Sequence, residues 1–182
     1  MAMLIVLPQM IQVFDSWAGE LSPSSFKKFS LPYLQYIADH LPNRLTELGQ
    51  EVVPMTVFAK GAWYALDDLC DTKYNVIGLD WLHEPAEAFK VAQAKGKVLQ
   101  GNADPGVLYG GRESITAVVK EMVEGFGGGK QGWIANLGHG ESRPFYPWRL
   151  YCADRLPGIT PFVNPDDLGF FFAEIKKYAG SS

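Results

Sequence analysis

Short apolar runs typical of β-strands alternate along this chain with segments of helical periodicity, and this alternation limits the possible folds more than any other feature. The predicted strands, in chain order, are Met10–Phe14, Val52–Phe58, Asn75–Leu79, Lys97–Leu99 and Gly132–Leu137. Strict alternation of strand and helix indicates right-handed βαβ units and a parallel sheet. An open flavodoxin-like or Rossmann sheet and a (β/α)8 barrel both fit the pattern.

Helices are predicted in three of the intervening segments, Phe26–Leu48, Trp63–Cys70 and Pro85–Ala94. Pro32 and Pro42 indicate that the first of these is broken or kinked, because proline lacks the N–H that an interior helical position donates.

Two further helices are predicted near the C-terminus. One has apolar residues at helical spacing, namely Ile115, Val118, Val119, Met122, Val123 and Phe126. The glycines at 127–129 can supply its left-handed C-terminal cap. The last helix is expected to begin at Pro165 with Asn164 as its N-cap, and to end at Gly180. Its predicted buried stripe is Leu168, Phe171, Phe172 and Ile175.

Polar side chains follow the predicted strands. They are Asp15 and Ser16, Lys60, Asp80 and Trp81, Gln100 with Asn102 and Asp104, and His139. In parallel α/β folds the carboxyl ends of the strands form the site face, so these side chains are expected around one rim. Five strands with such ends favour a barrel, although βα loops are also polar in proteins generally. The glycines on both sides of His139 predict a tight turn at that rim.

Composition excludes several classes of function. The net charge of −4 leaves no basic face for nucleic acid or an anionic membrane. Two cysteines provide neither a disulfide framework nor a metal site, and they favour the cytoplasm. The apolar start at 1–7 is shorter than the roughly 20 residues that span a bilayer. The glycines at 125–129 follow a helix rather than a strand, which excludes a nucleotide-binding loop there.

Seven segments resemble the uroporphyrinogen decarboxylase family. They are FDSWAGELSP (Phe14–Pro23), FSLPYL (Phe29–Leu34), VPMTVFAK (Val53–Lys60), GLDW (Gly78–Trp81), LQGNADPGVLY (Leu99–Tyr109), ANLGHG (Ala135–Gly140) and ITPFVNPDDLGFFF (Ile159–Phe172). The resemblance implies the C-terminal strands and helices of a (β/α)8 TIM barrel, in an enzyme that is usually a homodimer. It also implies a reaction of haem biosynthesis, in which the four acetate carboxyl groups of the tetrapyrrole uroporphyrinogen are removed to give coproporphyrinogen without a metal or organic cofactor.

The resemblance also implies roles for individual residues. Ser16 and His139 match the serine and the histidine that contact the substrate in the family. Asp80 and Trp81 match the GLDW motif, where they either contact the substrate or shape the rim. The same two interpretations apply to Gln100 and Asn102, which are expected to organise a loop.

Parts of the chain depart from the family pattern. Residues 1–8 have no family counterpart, and 9–182 correspond to the C-terminal portion of the barrel, interrupted by an insert at 141–157. The family's N-terminal half, which carries its carboxylate-binding arginines, has no counterpart here. We therefore expect this chain to be inactive alone, and a non-catalytic truncated barrel fragment is the alternative.

Two further hypotheses concern the segment around His139. The insert at 141–157 is interpreted as a translated intron, because its ends can be encoded by splice-site-like codons and its removal joins two family-like segments; a lid loop over the site is the alternative. A relationship to the thiol- or cobalamin-dependent methyltransferases of the same superfamily is disfavoured. Their zinc motif, His-x-Cys, is not found at His139, which Gly140 and Glu141 follow.

Overall fold

The computed structural model describes residues 9–138 and 164–180, in which five strands alternate with helices. The strands are β1 (Ile11–Asp15), β2 (Met55–Ala59), β3 (Val76–Gly78), β4 (Val98–Ala103) and β5 (Trp133–Leu137). They form a sheet in the order β1-β2-β3-β4-β5. Val13 pairs with Val57, and Gly101 pairs with Ala135, both in parallel register. Parallel neighbours require crossover connections, so the predicted βαβ organisation is confirmed.

Within the described residues there are six α-helices, of which the first five lie in these connections and the sixth follows β5. They are α1 (Pro23–Phe29), α2 (Leu31–Glu47), α3 (Leu66–Cys70), α4 (Pro85–Ala94), α5 (Gly111–Gly125) and α6 (Pro165–Ala179). Short 3₁₀ turns lie at Ala18–Glu20, Trp63–Ala65, Pro105–Tyr109 and Gly127–Gly129. The first two of these turns lie in the loops after β1 and β2, where candidate residues are located.

The predicted break in the first helical segment lies at Ser30, between α1 and α2, and not at a proline. Ser22 caps α1 by accepting a hydrogen bond from the backbone N–H of Ser25. Pro32 occupies the first turn of α2, where a backbone N–H has no helical partner to lose. Pro42 lies inside α2 without ending it, so the predicted break is confirmed, and of the two prolines only Pro32 lies beside it.

The described residues divide into two compact units. The first extends to Gly78 and includes Val91–Val98; its core contains fully buried Phe26, Val57 and Tyr74. Complete burial of each such side chain stabilises a fold by about 1.5–3 kcal/mol. The Tyr74 hydroxyl donates to the backbone oxygen of Leu34 at 3.1 Å, and burial raises its pKa to about 12.

The second unit comprises Leu79–Lys90 and the described residues from Leu99 onward, with α5 packed against α6. The predicted stripe of α5 is buried at Ile115, Val119, Met122, Val123 and Phe126, and Val118 is half-buried. The φ angles of the three glycines at 127–129 are 66°, 78° and 70°, which confirms the left-handed end of this helix.

Helix α6 begins as predicted, with the Asn164 side chain accepting from the N–H of Asp166 at 3.0 Å. Phe171 and Ile175 are buried, but Phe172 is 40% exposed, so its placement in the buried stripe is wrong. Glu174 is buried instead, because positions 171, 174 and 175 share one face of a helix with 3.6 residues per turn.

Candidate functional site

Ser16 lies in the turn that follows β1, and its side chain is exposed. The 3₁₀ turn Ala18–Glu20 comes directly after it. The Gly19 N–H donates to the backbone oxygen of Lys60 at 2.8 Å, and the Lys60 N–H donates to that of Asp15 at 3.1 Å. The loop that carries Ser16 is thereby tied to the loop that follows β2.

These two loops approach each other so closely at Gly19 and Gly61 that a side chain has no room. A Cβ atom on Gly19 would lie 2.7 Å from the Cα of Gly61, where van der Waals contact requires about 3.5 Å. Gly61 also has a φ of +76°, which favours glycine. Gly19 belongs to the segment FDSWAGELSP, so this part of the motif encodes backbone packing beneath Ser16.

Tyr64, in the loop after β2, contacts the same turn through its hydroxyl. The hydroxyl donates to the backbone oxygen of Leu21 at 2.7 Å, and the oxygen of Ala18 lies 3.2 Å away. Burial raises the pKa of Tyr64, and the negative charge of Asp15 raises it further, so the hydroxyl retains its proton. The Asp15 carboxylate itself accepts from the hydroxyl of Ser30. Sequence reasoning missed Tyr64, because no local pattern marks a partner 43 residues away.

Asp80 and Trp81, which follow β3, have different environments. Asp80 is 2% exposed, and its Oδ1 accepts from the N–H of Leu82 at 3.0 Å. Trp81 is 39% exposed at the same turn. The buried Asn102 donates through Nδ2 to the backbone oxygens of His83 at 2.8 Å and Asp80 at 3.2 Å. Asp80 and Asn102 therefore shape the turn that presents Trp81.

Gln100 and Asn102 lie inside β4, and the expectation that they organise a loop after the strand is wrong. The strand continues through them because Gly101, with a φ of +151°, lies against Leu79: a Cβ there would be 2.7 Å from the Leu79 oxygen. Trp133 also contacts this part of β4, because its Nε1 donates to the Gly101 oxygen at 2.8 Å. Within the described residues, the buried Oε1 of Gln100 has no hydrogen-bond partner.

Gly138 directly follows β5. It contacts both the turn after β3 and the end of β4. A Cβ on Gly138 would lie 2.8 Å from the backbone N of Trp81 and 3.1 Å from the backbone O of Asn102. Its N–H donates to the oxygen of Ala103 at 2.6 Å. The family-like segments GLDW, LQGNADPGVLY and ANLGHG therefore contact one another through main-chain atoms at this residue. His139 follows directly and lies outside the described residues.

The other two histidines differ in burial. The His83 side chain is 8% exposed, and its Nδ1 lies 3.4 Å from Oδ1 of Asp80. His83 is not among the predicted site residues, and its position three residues after the strand-end aspartate is the signal that could have identified it. His40 is exposed and stacks on Tyr36 with 4.0 Å between ring centroids.

Across residues 9–138 and 164–180, no group of three or more His, Cys, Asp or Glu side chains is arranged to hold a metal ion. Burial raises the pKa of the free Cys70 thiol to about 11, so the unreactive thiol form predominates at neutral pH. None of the described helices combines the length and the apolar character needed to cross a bilayer.

Comparison with known proteins places this chain in a family. The model of a family described as uroporphyrinogen decarboxylase (URO-D) matches residues 5–148. The chain belongs to this family. Proteins named uroporphyrinogen decarboxylase include relatives from Schizosaccharomyces pombe, 48% identical over 173 residues, and from Danio rerio, 51% identical over 172 residues. The human relative is 39% identical over 171 residues.

These alignments cover 94–95% of this chain but only 41–43% of the uroporphyrinogen decarboxylases concerned. The chain thus spans about two fifths of the length of the curated relatives it matches. Among solved structures, a methyltransferase from Methanosarcina mazei matches with a TM-score of 0.66 at 19% identity, over 93% of this chain and 42% of that one. Similarity at this level of identity shows the fold alone. The match with this structure confirms the predicted α/β class and agrees with the strands and helices of part of a barrel.

Proposed function

We propose that this chain carries part of the substrate site of a uroporphyrinogen decarboxylase, which removes the four acetate carboxyl groups of uroporphyrinogen to give coproporphyrinogen. Family membership over residues 5–148 supports the reaction. The observation that carries the proposal for this chain is the meeting of three family-like segments at Gly138, directly before His139. That arrangement brings Trp81 and the end of β5 to one place at the carboxyl ends of the strands.

The reaction determines what such a site must supply. Protonation of the pyrrole carbon next to the one that bears the acetate side chain makes the ring cationic. The ring then accepts the electron pair of the breaking carbon–carboxylate bond as carbon dioxide leaves, which forms an exocyclic methylene; a second proton adds to that methylene carbon to complete a methyl group, and the first proton leaves the ring carbon to restore the pyrrole. Positioned acid catalysis of this kind contributes about 10²–10⁴-fold. Removing one preorganised electrostatic group from a site typically costs about 2.7–4 kcal/mol.

The described residues suit different parts of this task. The exposed hydroxyl of Ser16 can donate to a substrate carboxylate, and we assign the same role to the imidazole of His139. The 39% exposed ring of Trp81 offers an apolar face to the macrocycle. Asp80 and Asn102 are buried, so we assign them to holding the turn rather than to contacting the substrate.

The proposal extends to partners and location. The partner is a tetrapyrrole with eight carboxylates, and the reaction uses neither a metal nor an organic cofactor. A homodimer is supported by the resemblance to the family alone. A cytoplasmic location, without nucleic acid or membrane as partners, is supported by two cysteines and a net charge of −4.

Titration of the purified 182-residue chain with uroporphyrinogen under anaerobic conditions tests the proposal. We expect saturable binding that Ser16→Ala weakens by about fivefold, the value of one hydrogen bond worth about 1 kcal/mol. Ser24→Ala, which removes an exposed hydroxyl from the first turn of α1, is the matched control and should bind normally. Equal affinity of Ser16→Ala and the unsubstituted chain, with both folded by circular dichroism, would contradict the assignment of Ser16.

A second candidate is a non-catalytic fragment that retains binding without turnover. The coverage of only 41–43% of the relatives' length favours it. Product analysis after fusion to the N-terminal portion of the Schizosaccharomyces pombe relative distinguishes the two candidates: conversion above a heat-inactivated control excludes the fragment, and binding of uroporphyrinogen with no loss of carboxyl groups supports it.

The proposed organisation of the chain has its own test. We propose that 9–182 form the family-like portion and that 141–157 are the translated remnant of an intron. A mature transcript that lacks these codons supports this interpretation. A transcript population that always retains them, from a gene without splice sites there, supports a lid loop.

A further inference from the structure

The turn that carries Ser16 is held from one side by the loop after β2. Its internal hydrogen bonds are short-range, from the Glu20 N–H to the Trp17 oxygen at 3.0 Å and from the Leu21 N–H to the Ala18 oxygen at 3.1 Å. A single 3₁₀ turn with two such bonds is a weak structure by itself, since this geometry gives poor hydrogen bonds. Its conformation therefore depends on contacts with residues distant in sequence.

Tyr64 provides a side-chain contact of this kind. Its hydroxyl donates to the Leu21 oxygen at 2.7 Å and lies 3.2 Å from the Ala18 oxygen, so it spans the carbonyls at both ends of the turn. The aromatic ring packs edge-on against the buried Phe26 with 6.0 Å between centroids. The half-buried ring thus packs against the core of the first unit, and the hydroxyl contacts the turn.

This division separates packing from positioning. Removal of the hydroxyl leaves the contact between the Tyr64 and Phe26 rings unchanged, because phenylalanine has the same ring. The Leu21 carbonyl, in contrast, loses a donor. The backbone bond from Gly19 to Lys60 and the contact between Gly19 and Gly61 remain, so the turn is expected to loosen at its far end rather than to unfold.

We propose that Tyr64 is a positioning residue that fixes the turn at 16–21 and thereby the orientation of Ser16 toward its substrate carboxylate. The part that concerns substrate rests on the proposed function. The fixing of the turn rests on the two carbonyl contacts alone. Tyr64 acts through Ser16 and does not itself touch the substrate.

Amide hydrogen exchange tests the fixing of the turn without any ligand. In Tyr64→Phe, the exchange rate of the Leu21 amide, which donates to the Ala18 oxygen at the far end of the turn, should rise about fivefold, because a net hydrogen bond of about 1 kcal/mol is lost. The amide of Val57 in β2 should exchange as before. Tyr33→Phe is the matched control, since it removes a hydroxyl from a tyrosine that is 69% exposed on α2. Unchanged exchange at Leu21 in Tyr64→Phe would overturn the proposal.

A double-mutant cycle tests whether Tyr64 acts through Ser16. Tyr64→Phe should weaken uroporphyrinogen binding by about threefold to fivefold in the natural background, as expected for loss of an indirect contact worth at most one hydrogen bond. It should have no further effect in the Ser16→Ala background, because residues that act as a unit are not additive. Equal effects in both backgrounds would overturn the positioning role. Replacement of Tyr64 by 4-aminophenylalanine, which keeps an N–H donor at that place, should restore affinity and slow exchange.

The exchange and binding experiments distinguish a failure of the proposed function from a failure of the positioning role. If the unsubstituted chain does not bind uroporphyrinogen, the proposed function fails, and the positioning role toward substrate fails with it. The exchange rate at Leu21 still decides whether the hydroxyl holds the turn. A loss of affinity that follows only from global destabilisation, seen as faster exchange at Val57 as well, would assign Tyr64 to packing and overturn the proposal.

Discussion

Gly138→Ala tests whether three segments of the chain meet at Gly138. A Cβ there would lie 2.8 Å from the Trp81 nitrogen, 3.1 Å from the Asp80 carbonyl carbon and 3.1 Å from the Asn102 oxygen. All three are main-chain atoms, so no flexible side chain can move aside. Gly138 is not among the glycines with positive φ, so the predicted cost is steric rather than conformational.

The size of this cost follows from the contact distances. Ordinary carbon contacts lie at about 3.5–4.0 Å, so the turn of Asp80 and the end of β4 must each move by several tenths of an ångström. Asn102 holds these segments together by hydrogen bonds at 2.8 and 3.2 Å, and they resist such movement. Overpacking of this kind destabilises by about 1–3 kcal/mol. With a urea m-value of about 2 kcal/mol/M, the unfolding midpoint should fall by about 0.5–1.5 M.

Urea unfolding followed by circular dichroism measures the effect, and Gly169→Ala is its control. Gly169 lies in α6, in the same unit, and a Cβ there meets no atom within 4 Å. Alanine in an open helical position should stabilise by about 0.5–1 kcal/mol, so the two substitutions have opposite predicted signs. A Gly138→Ala protein with an unfolding midpoint equal to or above that of the unsubstituted chain would refute the meeting of segments at this residue.

Two more substitutions test buried polar groups. Gln100→Met should raise the free energy of unfolding by about 1 kcal/mol, because it removes a buried Oε1 that lacks a partner among the described residues. The control Gln93→Met, at an exposed position of α4, should leave the free energy of unfolding unchanged. A Gln100→Met protein that is less stable than the unsubstituted chain would contradict the interpretation that this oxygen is unpaired. A hydrogen bond from Lys177 lowers the pKa of Glu174, and a hydrogen bond from Thr116 lowers it further. The ionised Glu174 therefore stabilises the fold above the unfolded pKa of about 4.3, and this stabilisation is lost as the pH falls through the folded pKa. Thermal midpoints between pH 3 and 7 should therefore fall less steeply on acidification in Glu174→Gln than in the unsubstituted chain or in the exposed control Glu121→Gln, and parallel curves would contradict this.

The sequence predicts elements best where one local signal decides them. Helix α4 begins and ends as predicted at Pro85 and Ala94, and α6 has the predicted cap at Asn164 and end before Gly180. The sequence predicts that β4 ends at Leu99 and that Gln100 and Asn102 follow it. The strand extends to Ala103 since Gly101 lies against the Leu79 oxygen, a contact that no local pattern shows.

The sequence predicted which residues follow the strands but not the contacts between them. Ser16 follows β1 and Asp80 follows β3, and Ser16 is exposed as a substrate contact requires, whereas Gln100 and Asn102 lie inside β4. The roles of Tyr64 and His83 depend on partners that the fold brings together, the hydroxyl with Leu21 and the imidazole with Asp80. The roles of Ser16 and His139 toward substrate remain predictions.

Glycines in the family-like segments help to fix the positions of the candidate polar residues. Gly19, Gly101 and Gly138 each lie where a Cβ would come within 2.8 Å of another segment's main chain, and each is within three residues of a candidate side chain. Main-chain contact of this kind leaves less freedom than contact through rotatable side chains, so a polar neighbour inherits a defined position from the backbone. A site built in this way should tolerate changes in its side chains better than changes in its glycines. The comparison of Ser16→Ala with Gly138→Ala is therefore informative: the first should lower affinity with the stability unchanged, and the second should lower both.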